Sequence, residues 1–144
     1  MSESSSSGYL QSLFGLTGKT AVVIGGTGVL GGAIAETLAQ AGAHVVIVGR
    51  NAENGAGRVK MIEELQGTAE FFKADSTSRE DLESLVAHLK SNDRTTDILV
   101  NGAGINAATP FLEISDEEWE QIFRVNLLSV KVACQVFGQS MLDN

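Results

Sequence analysis

The sequence has one cysteine, Cys134, and few basic residues, and both scarcities limit what the protein can be. A single cysteine cannot form a disulfide within the chain, and its apolar, helix-like surroundings predict a buried structural thiol. With 18 acidic and 10 basic residues the formal net charge is -8. The chain therefore lacks the basic surface that binds nucleic acid or an anionic membrane, and we expect neither partner.

Metal ligands and targeting signals are also scarce. His44 and His88 lie far apart in the sequence and have no cysteine or carboxylate at ligand spacing, so no metal site is predicted. The serine-rich first residues lack the cationic region and the apolar stretch of a secretory signal. We therefore expect residues 1–15 to form a disordered leader segment and the protein to be cytoplasmic.

From residue 20 onward, short apolar runs alternate with helical patterns. The runs predict four strands, at residues 20–24, 45–48, 68–73 and 98–100, and the first two are expected to be buried. Apolar residues spaced by three and four predict helices at 29–41 and 52–65, and capping boxes at 77–80 and 115–118 open two more. We therefore predict an α/β fold: a Rossmann-type doubly wound parallel sheet with helices on both faces, formed by residues 16–144 as one dinucleotide-binding domain.

A glycine-rich segment separates the first predicted strand from the first predicted helix of this domain. Gly26, Gly28 and Gly31 match G-x-G-x-x-G in the strand–turn–helix context that the motif needs. Glycines there permit a tight turn and bring the backbone close to a pyrophosphate, which free N–H groups at the helix start bind. The motif alone leaves open a sharp turn with a close helix crossing and no ligand.

Three segments together resemble the short-chain dehydrogenase/reductase family: the glycine turn, Asn101-Gly-Ala-Gly104, and Asn126 in the last predicted helix. The second resembles the family's Asn-Asn-Ala-Gly signature, with Gly102 in place of the second asparagine. The turn departs from the usual Thr-Gly-x-x-x-Gly-x-Gly, because Ile24 replaces the threonine and Val29 the middle glycine. The sequence around this turn is also similar to that of sugar-acid oxidoreductases of the mannonate and gluconate type.

The resemblance implies a dinucleotide site and its residues. It assigns cofactor binding to Gly25, Gly26, Thr27, Gly28, Val29, Leu30, Gly31, Arg50, Asn51, Asp75, Ser76, Asn101, Gly102, Ala103 and Gly104. In the family, the residue matching Asp75 accepts a hydrogen bond from the adenine amino group, and Ser76 would back it. The alternative for Asp75 is a cap on the helix that follows.

The end of the second predicted strand bears on the choice of cofactor. It lacks the acidic residue that binds the ribose 2′-hydroxyl of NAD. Arg50 stands there instead, and a guanidinium can pair with a 2′-phosphate in bidentate fashion. The sequence therefore favours NADP(H), with NAD(H) left open. The alternatives are that Arg50 is a solvated loop cation and that Asn51 caps the next helix.

Asn126 falls on an apolar helical face with Trp119, Phe123 and Phe137, where an amide needs hydrogen-bond partners. In the family the matching asparagine is catalytic and holds a water linked to the catalytic lysine. The alternative is that Asn126 is a core residue whose amide is hydrogen-bonded, or a residue at a bend of the helix. The family's serine and Tyr-x-x-x-Lys have no match, because the one tyrosine, Tyr9, precedes the first strand. We expect a Rossmann domain truncated after the fourth strand and its following helix, which binds cofactor without activity.

For the full-length protein, the resemblance implies an NAD(P)-dependent oxidoreductase. It would interconvert a small-molecule alcohol, for which a sugar acid or polyol is the candidate, and a carbonyl by hydride transfer. It would act as a homo-oligomer, a dimer or a tetramer. Two alternatives stay open. One is a non-catalytic dinucleotide-sensing regulatory protein, and the other is an extended-type nucleotide-sugar epimerase.

Overall fold

A four-stranded parallel sheet, in the order β3-β2-β1-β4, forms the centre of the computed structural model, which describes residues 3–143. The strands are β1 (Thr20–Ile24), β2 (His44–Gly49), β3 (Thr68–Lys73) and β4 (Ile98–Asn101). Ile24, at the end of β1, pairs with Val48 on one side and with Asn101 on the other. The strands therefore end together at one edge of the sheet, and each begins and ends within one residue of its predicted bounds.

Helices cover both faces of this sheet. Those that do so are α2 (Val29–Gln40), α3 (Ala52–Glu64), α4 (Arg79–Ser91) and α6 (Ser129–Leu142). Two further helices are α1 (Glu3–Phe14), at the start of the chain, and α5 (Asp116–Phe123), before α6. A 3-10 turn (Phe111–Glu113) precedes α5, and a π-helical segment (Arg124–Leu128) joins α5 to α6. One buried cluster joins the sheet to α2 and α3, and another joins it to α4 and α6. The predicted fold class, a doubly wound parallel sheet with helices on both faces, is confirmed.

The start of the chain differs from the expectation. Residues 1–15 were expected to be disordered, whereas α1 extends over Glu3–Phe14, and Met1 and Ser2 lie outside the described residues. Two apolar pairs spaced by four residues, Tyr9 with Leu13 and Leu10 with Phe14, account for the helix, since such pairs stabilise exposed helices. All four side chains are exposed.

The predicted continuous final helix is interrupted at the π-helical segment. A π turn inserts an extra residue, so apolar spacing counted across it assigns later residues to the wrong face. Trp119 and Phe123 are therefore about half exposed, whereas Phe137 is fully buried. Cys134, predicted to be buried, is exposed on α6.

The first predicted capping box is displaced by one residue. Ser78, not Thr77, caps α4, and its hydroxyl accepts a hydrogen bond from the N–H of Asp81 at 3.2 Å. At the second box Ser115 caps α5 as predicted, accepting from the N–H of Glu118 at 3.2 Å.

Candidate functional site

A cavity of about 290 Å³ opens at the carboxyl edge of the sheet. The chain runs from β1 to β2 and β3 on one side and then crosses to β4 on the other. Ligands of open α/β sheets bind at such a switch point, because the crossovers there diverge and leave a crevice. The predicted site residues in the cavity wall are Gly25, Thr27, Gly28, Arg50, Asp75, Ser76, Gly102, Ala103 and Gly104.

The other predicted residues lie beside this wall or behind it: Gly26, Val29, Leu30, Gly31, Asn51, Asn101 and Asn126. Eight lining residues were missed by the sequence analysis: Ile24, Val48, Gly49, Ala74, Thr77, Ile105, Gln121 and Val125. The first five lie at or just after the ends of β1, β2 and β3. Ile105 follows the Asn101–Gly104 segment, and Gln121 and Val125 precede Asn126, so only their closeness to those motifs could have indicated these three.

Gly25, rather than the glycines of the motif, is the residue whose conformation requires glycine. Its φ is +80°, in the left-handed region, and a Cβ there would lie 2.7 Å from the backbone N of Ala103. Its N–H donates to the carbonyl of Val48 at 2.9 Å. The turn after β1 therefore contacts the segment after β4 backbone to backbone, which closes this end of the cavity.

The start of α2 is placed against the same turn by Gly31. A Cβ on Gly31 would lie 2.3 Å from the carbonyl oxygen of Gly25, so no side chain fits. The first bond of α2 runs from the N–H of Gly32 to the carbonyl of Gly28 at 2.9 Å. The N–H groups of residues 29–31 precede that bond and have no partner within the helix, and such groups bind anions. Because the side chains of Val29 and Leu30 point into solvent, these residues offer backbone to a ligand.

Asp75 presents a fixed carboxylate to the cavity. Its Oδ1 accepts hydrogen bonds from the N–H and the hydroxyl of Thr77, both at 2.8 Å. These bonds, with a smaller contribution from the charge of Arg50, hold the pKa of Asp75 below its ordinary value although burial opposes the shift. The N–H of Asp75 donates to Oδ2 of Asp81 at 2.8 Å, which fixes the backbone as well.

Two expectations about this segment change. Thr77, not Ser76, bonds the Asp75 carboxylate, because an Asp side chain readily accepts from the residue two positions on. Ser76 is half-buried in the cavity wall. The alternative that Asp75 caps α4 is wrong, because Ser78 is the cap.

Arg50 and Asn51 follow β2 directly. Arg50 is exposed and lines the cavity, and its charge contributes to the lowered pKa of Asp75. Asn51 caps α3, with its Oδ1 accepting from the N–H of Asn54 at 2.9 Å. The capping alternative for Asn51 is therefore the one that the structure supports.

Asn101 and Gly102 anchor the segment after β4. Asn101 is the last residue of the strand, and its Nδ2 lies 3.7 Å from Sγ of Cys134. The N–H of Gly102 donates to the carbonyl of Ile24 at 2.9 Å. Asn101 thus faces α6, while the next residues turn into the cavity wall.

Asn126 lies in the π-helical segment, and both polar atoms of its amide are hydrogen-bonded. Nδ2 donates to the carbonyl of Ile105 and Oδ1 accepts from the N–H of Ile105, both at 2.8 Å. The residue is exposed, so it is a satisfied amide but not a core one. Since Ile105 lines the cavity, Asn126 fixes one part of the wall through a backbone peptide.

Residues 3–143 contain neither a membrane-spanning helix nor a cluster of metal ligands. None of the helices there combines the length and the apolar character needed to cross a bilayer. In the same residues, no group of three or more His, Cys, Asp and Glu side chains is arranged to hold a metal ion.

Known proteins resemble this chain in sequence and in structure. Residues 19–144 match the family model described as short chain dehydrogenase. The chain is 37% identical over 118 residues to 3beta-hydroxysteroid dehydrogenase of Mediterraneibacter gnavus, covering 81% of this chain and 43% of the relative. It is 37% identical over 137 residues to 2-dehydro-3-deoxy-D-gluconate 5-dehydrogenase of Bacillus subtilis, covering 94% and 52%.

Among solved structures, the chain resembles 3-oxoacyl (acyl-carrier-protein) reductase from Agrobacterium tumefaciens C58 with NADP bound. The TM-score is 0.82 at 30% identity, covering 93% of this chain and 52% of that one. The chain spans about half the length of the curated relatives it matches. With a family model matched from residue 19 to residue 144, the chain belongs to the short-chain dehydrogenase/reductase family of oxidoreductases.

Proposed function

We propose that this chain is the dinucleotide-binding part of an NADP(H)-preferring oxidoreductase that interconverts an alcohol and a carbonyl compound. The observation that carries the proposal is the single cavity wall shared by Gly28, Arg50 and Asp75 at the switch point of the sheet. When bound, the nicotinamide of such a cofactor gives a hydride to the substrate or takes one from it.

The turn and the start of α2 suit a pyrophosphate. Gly25 and Gly28 leave bare backbone in the cavity wall, and the N–H groups of residues 29–31 follow directly. A helix start adds partial positive charge to these donors, so phosphate can be bound without a lysine. We propose that Thr27 and the two glycines line the pyrophosphate.

Asp75 suits the adenine amino group. Its pKa lies below the ordinary aspartate value, so the carboxylate is ionised at neutral pH, where it accepts hydrogen bonds and donates none. Both bonds from Thr77 reach Oδ1. We propose that the other oxygen, Oδ2, accepts from the amino group and that Ser76 contacts the base beside it.

Arg50 supports the preference for NADP(H). It is exposed, lies in the wall and follows β2, where the ribose of a dinucleotide binds in this fold. The neighbouring Asn51 is engaged as a cap and bears no charge that would repel a 2′-phosphate. The similar reductase of Agrobacterium tumefaciens has NADP bound, which agrees with this preference.

For the whole protein, we propose a sugar acid or polyol as substrate, supported by the gluconate-type relative. No tyrosine lines the cavity in the described residues, since Tyr9 belongs to α1. Residues 1–144 should therefore bind the cofactor without turning substrate over. Exposed apolar side chains at Phe123, Leu127 and Leu128 support a homo-oligomer, which we place in the cytoplasm.

Cofactor titrations test the proposal. The Kd of NADPH and of NADH should be measured for the unchanged chain, for Arg50→Ala and for Arg94→Ala, a control that removes an exposed cation outside the wall. Loss of a charge-assisted pair should weaken NADPH roughly tenfold in Arg50→Ala and leave NADH within about twofold. Equal losses for both cofactors would remove Arg50 as the 2′-phosphate ligand, and no binding of either would remove the proposed function.

A further inference from the structure

We propose that Arg58 is a positioning residue for the pyrophosphate. Its guanidinium holds the carbonyl of Gly28, and this orients the peptide whose N–H belongs to Val29. The inference rests on the proposed dinucleotide function, because it names a residue that shapes the same site from outside the cavity wall.

Arg58 reaches from α3 across to α2. Its Nη1 forms an ion pair with Oε1 of Glu36, and its Nη2 donates to the carbonyl oxygen of Gly28 at 3.4 Å. Its side chain is only 19% exposed. A guanidinium has donors in a rigid fork, so one arginine can hold the side chain and the backbone carbonyl at once.

Gly32 provides the space for this guanidinium. A Cβ on Gly32 would lie 2.2 Å from Cζ of Arg58 and 2.3 Å from Nη2. Gly32 thus differs from Gly31, whose Cβ would meet the backbone of the turn. Gly32, which follows Gly31 directly, therefore leaves room for the guanidinium of Arg58.

The contact bears on the pyrophosphate through the geometry of one peptide. Gly28 is the N-cap of α2, and its carbonyl also accepts the N–H of Gly32 at 2.9 Å. In a planar trans peptide the C=O and the following N–H point in opposite directions. Two donors that hold the Gly28 carbonyl toward the helix body therefore direct the N–H of Val29 outward from the start of α2, where anions bind.

Charge attraction is a minor part of this effect, because Glu36 pairs with Arg58 inside the same contact. The arginine therefore acts by orientation, and its loss should affect ligands that carry a pyrophosphate. Ligands that lack it should bind as before.

The main test removes both partners together. The variant Arg58→Met with Glu36→Gln loses the guanidinium without leaving a lone carboxylate beside the turn. The Kd should be measured by calorimetry for 2′-phospho-ADP-ribose, which carries a pyrophosphate, and for adenosine 2′-phosphate, which does not. We expect a loss of roughly tenfold for the first and less than about twofold for the second.

Two single variants complete the design. Gly57→Ala is the matched control, since this neighbour of Arg58 is exposed and its Cβ would meet nothing within 4 Å. Gly32→Ala keeps both charges but displaces the guanidinium. It should show the same selective loss, although alanine is the better helix former. Equal losses of affinity for the two ligands would overturn the inference. So would unchanged affinity for both ligands in Arg58→Met with Glu36→Gln or in Gly32→Ala.

Amide exchange separates this inference from the proposed function. Without ligand, the N–H of Gly32, which shares the Gly28 carbonyl with Arg58, should exchange faster in Arg58→Met with Glu36→Gln than in Gly57→Ala. If the unchanged chain binds neither ligand, the proposed function fails, and faster exchange still supports the positioning contact. Unchanged exchange overturns the contact whatever the ligands do.

Discussion

Helix α2, on one face of the sheet, buries only small side chains, whereas α4 and α6 on the other face bury large ones; α3, beside α2, buries Ile62. In α2 the buried positions are Gly31, Gly32, Ala35 and Ala39, whereas α4 and α6 bury leucines and Phe137. The difference follows from the site, because α2 must start against the turn after β1, and α4 and α6 contribute no residue to the cavity wall. Close backbone contact therefore governs the packing of α2, and the filling of volume by side chains governs that of α4 and α6.

The largest expected effect lies on the face that α4 and α6 cover. Phe137 is fully buried among α4, α6 and the sheet, so Phe137→Ala should lower the free energy of unfolding by about 3–5 kcal/mol. Urea unfolding followed by circular dichroism measures it. Leu142→Ala is the control on the same helix, because Leu142 is 84% exposed and its loss should change stability by less than about 0.5 kcal/mol. A loss below about 1 kcal/mol at Phe137 would contradict the assigned core.

Helix α2, with its small buried side chains, should respond to added volume instead. Gly31→Ala places a Cβ against the carbonyl of Gly25, and the backbone must move, so we expect a loss of about 1–3 kcal/mol in stability together with weaker dinucleotide binding. Gly28→Ala is the matched control for stability alone, since its Cβ would stand at an ordinary 3.4 Å from the same oxygen, although Gly28 itself lines the cavity. Similar stability for the two variants would show that α2 does not need its close approach.

The sequence was sufficient for the sheet and for the location of the cavity. β1 and β3 were predicted to the residue, because their apolar runs are bounded by glycines or by polar residues. Residues after β1, β2, β3 and β4 could be grouped in advance, since the carboxyl ends of parallel strands meet at one edge. Gly25, Arg50, Asp75 and Gly102 do lie in one wall.

Contacts that depend on short distances between elements could not be predicted. The pairing of Asn126 with Ile105 needs the position of the loop after β4, and the π turn leaves no mark on apolar spacing. Arg58 has no motif, because its partners Glu36 and Gly28 belong to another helix and its N-cap. The hydrogen bond from Thr77 to Asp75 spans only two residues. The sequence did not predict it, because aspartate, serine and threonine are also the residues that cap helices.

Helices α2 and α4 also differ in how their first turns are capped. The N-cap of α2 is Gly28, which leaves the first N–H groups to a ligand, whereas α4 is capped by the hydroxyl of Ser78. Ser78→Ala should therefore destabilise the chain by about 1 kcal/mol. Ser91→Ala, an exposed change at the end of the same helix, should stay within about 0.5 kcal/mol. The readout is the midpoint of urea unfolding, and equal midpoints for the two variants would remove Ser78 as the cap.

The smallest expected effect concerns Glu70, which faces α4 from β3. Its Oε1 lies 3.1 Å from Nε2 of His44, and its Oε2 lies 2.9 Å from Nε2 of His88. Burial raises the pKa of Glu70, but the bonds to His88 and His44 outweigh it, so the net shift is downward. A carboxyl whose pKa is lower in the folded chain adds stability above its unfolded pKa and loses it as the pH falls through the folded value.

Unfolding in urea between about pH 6 and pH 3 should reveal this contribution, since the ordinary pKa of glutamate is about 4.3. Glu70→Gln should lower the unfolding free energy near pH 6 by less than about 1 kcal/mol, because the carboxylate is 31% exposed. The difference from the unchanged chain should vanish toward pH 3. Glu64→Gln, at an exposed carboxylate on α3, controls for the loss of one charge. A difference for Glu70→Gln that stayed constant with pH would show that packing, and not the ionised carboxylate, joins α4 to the edge strand.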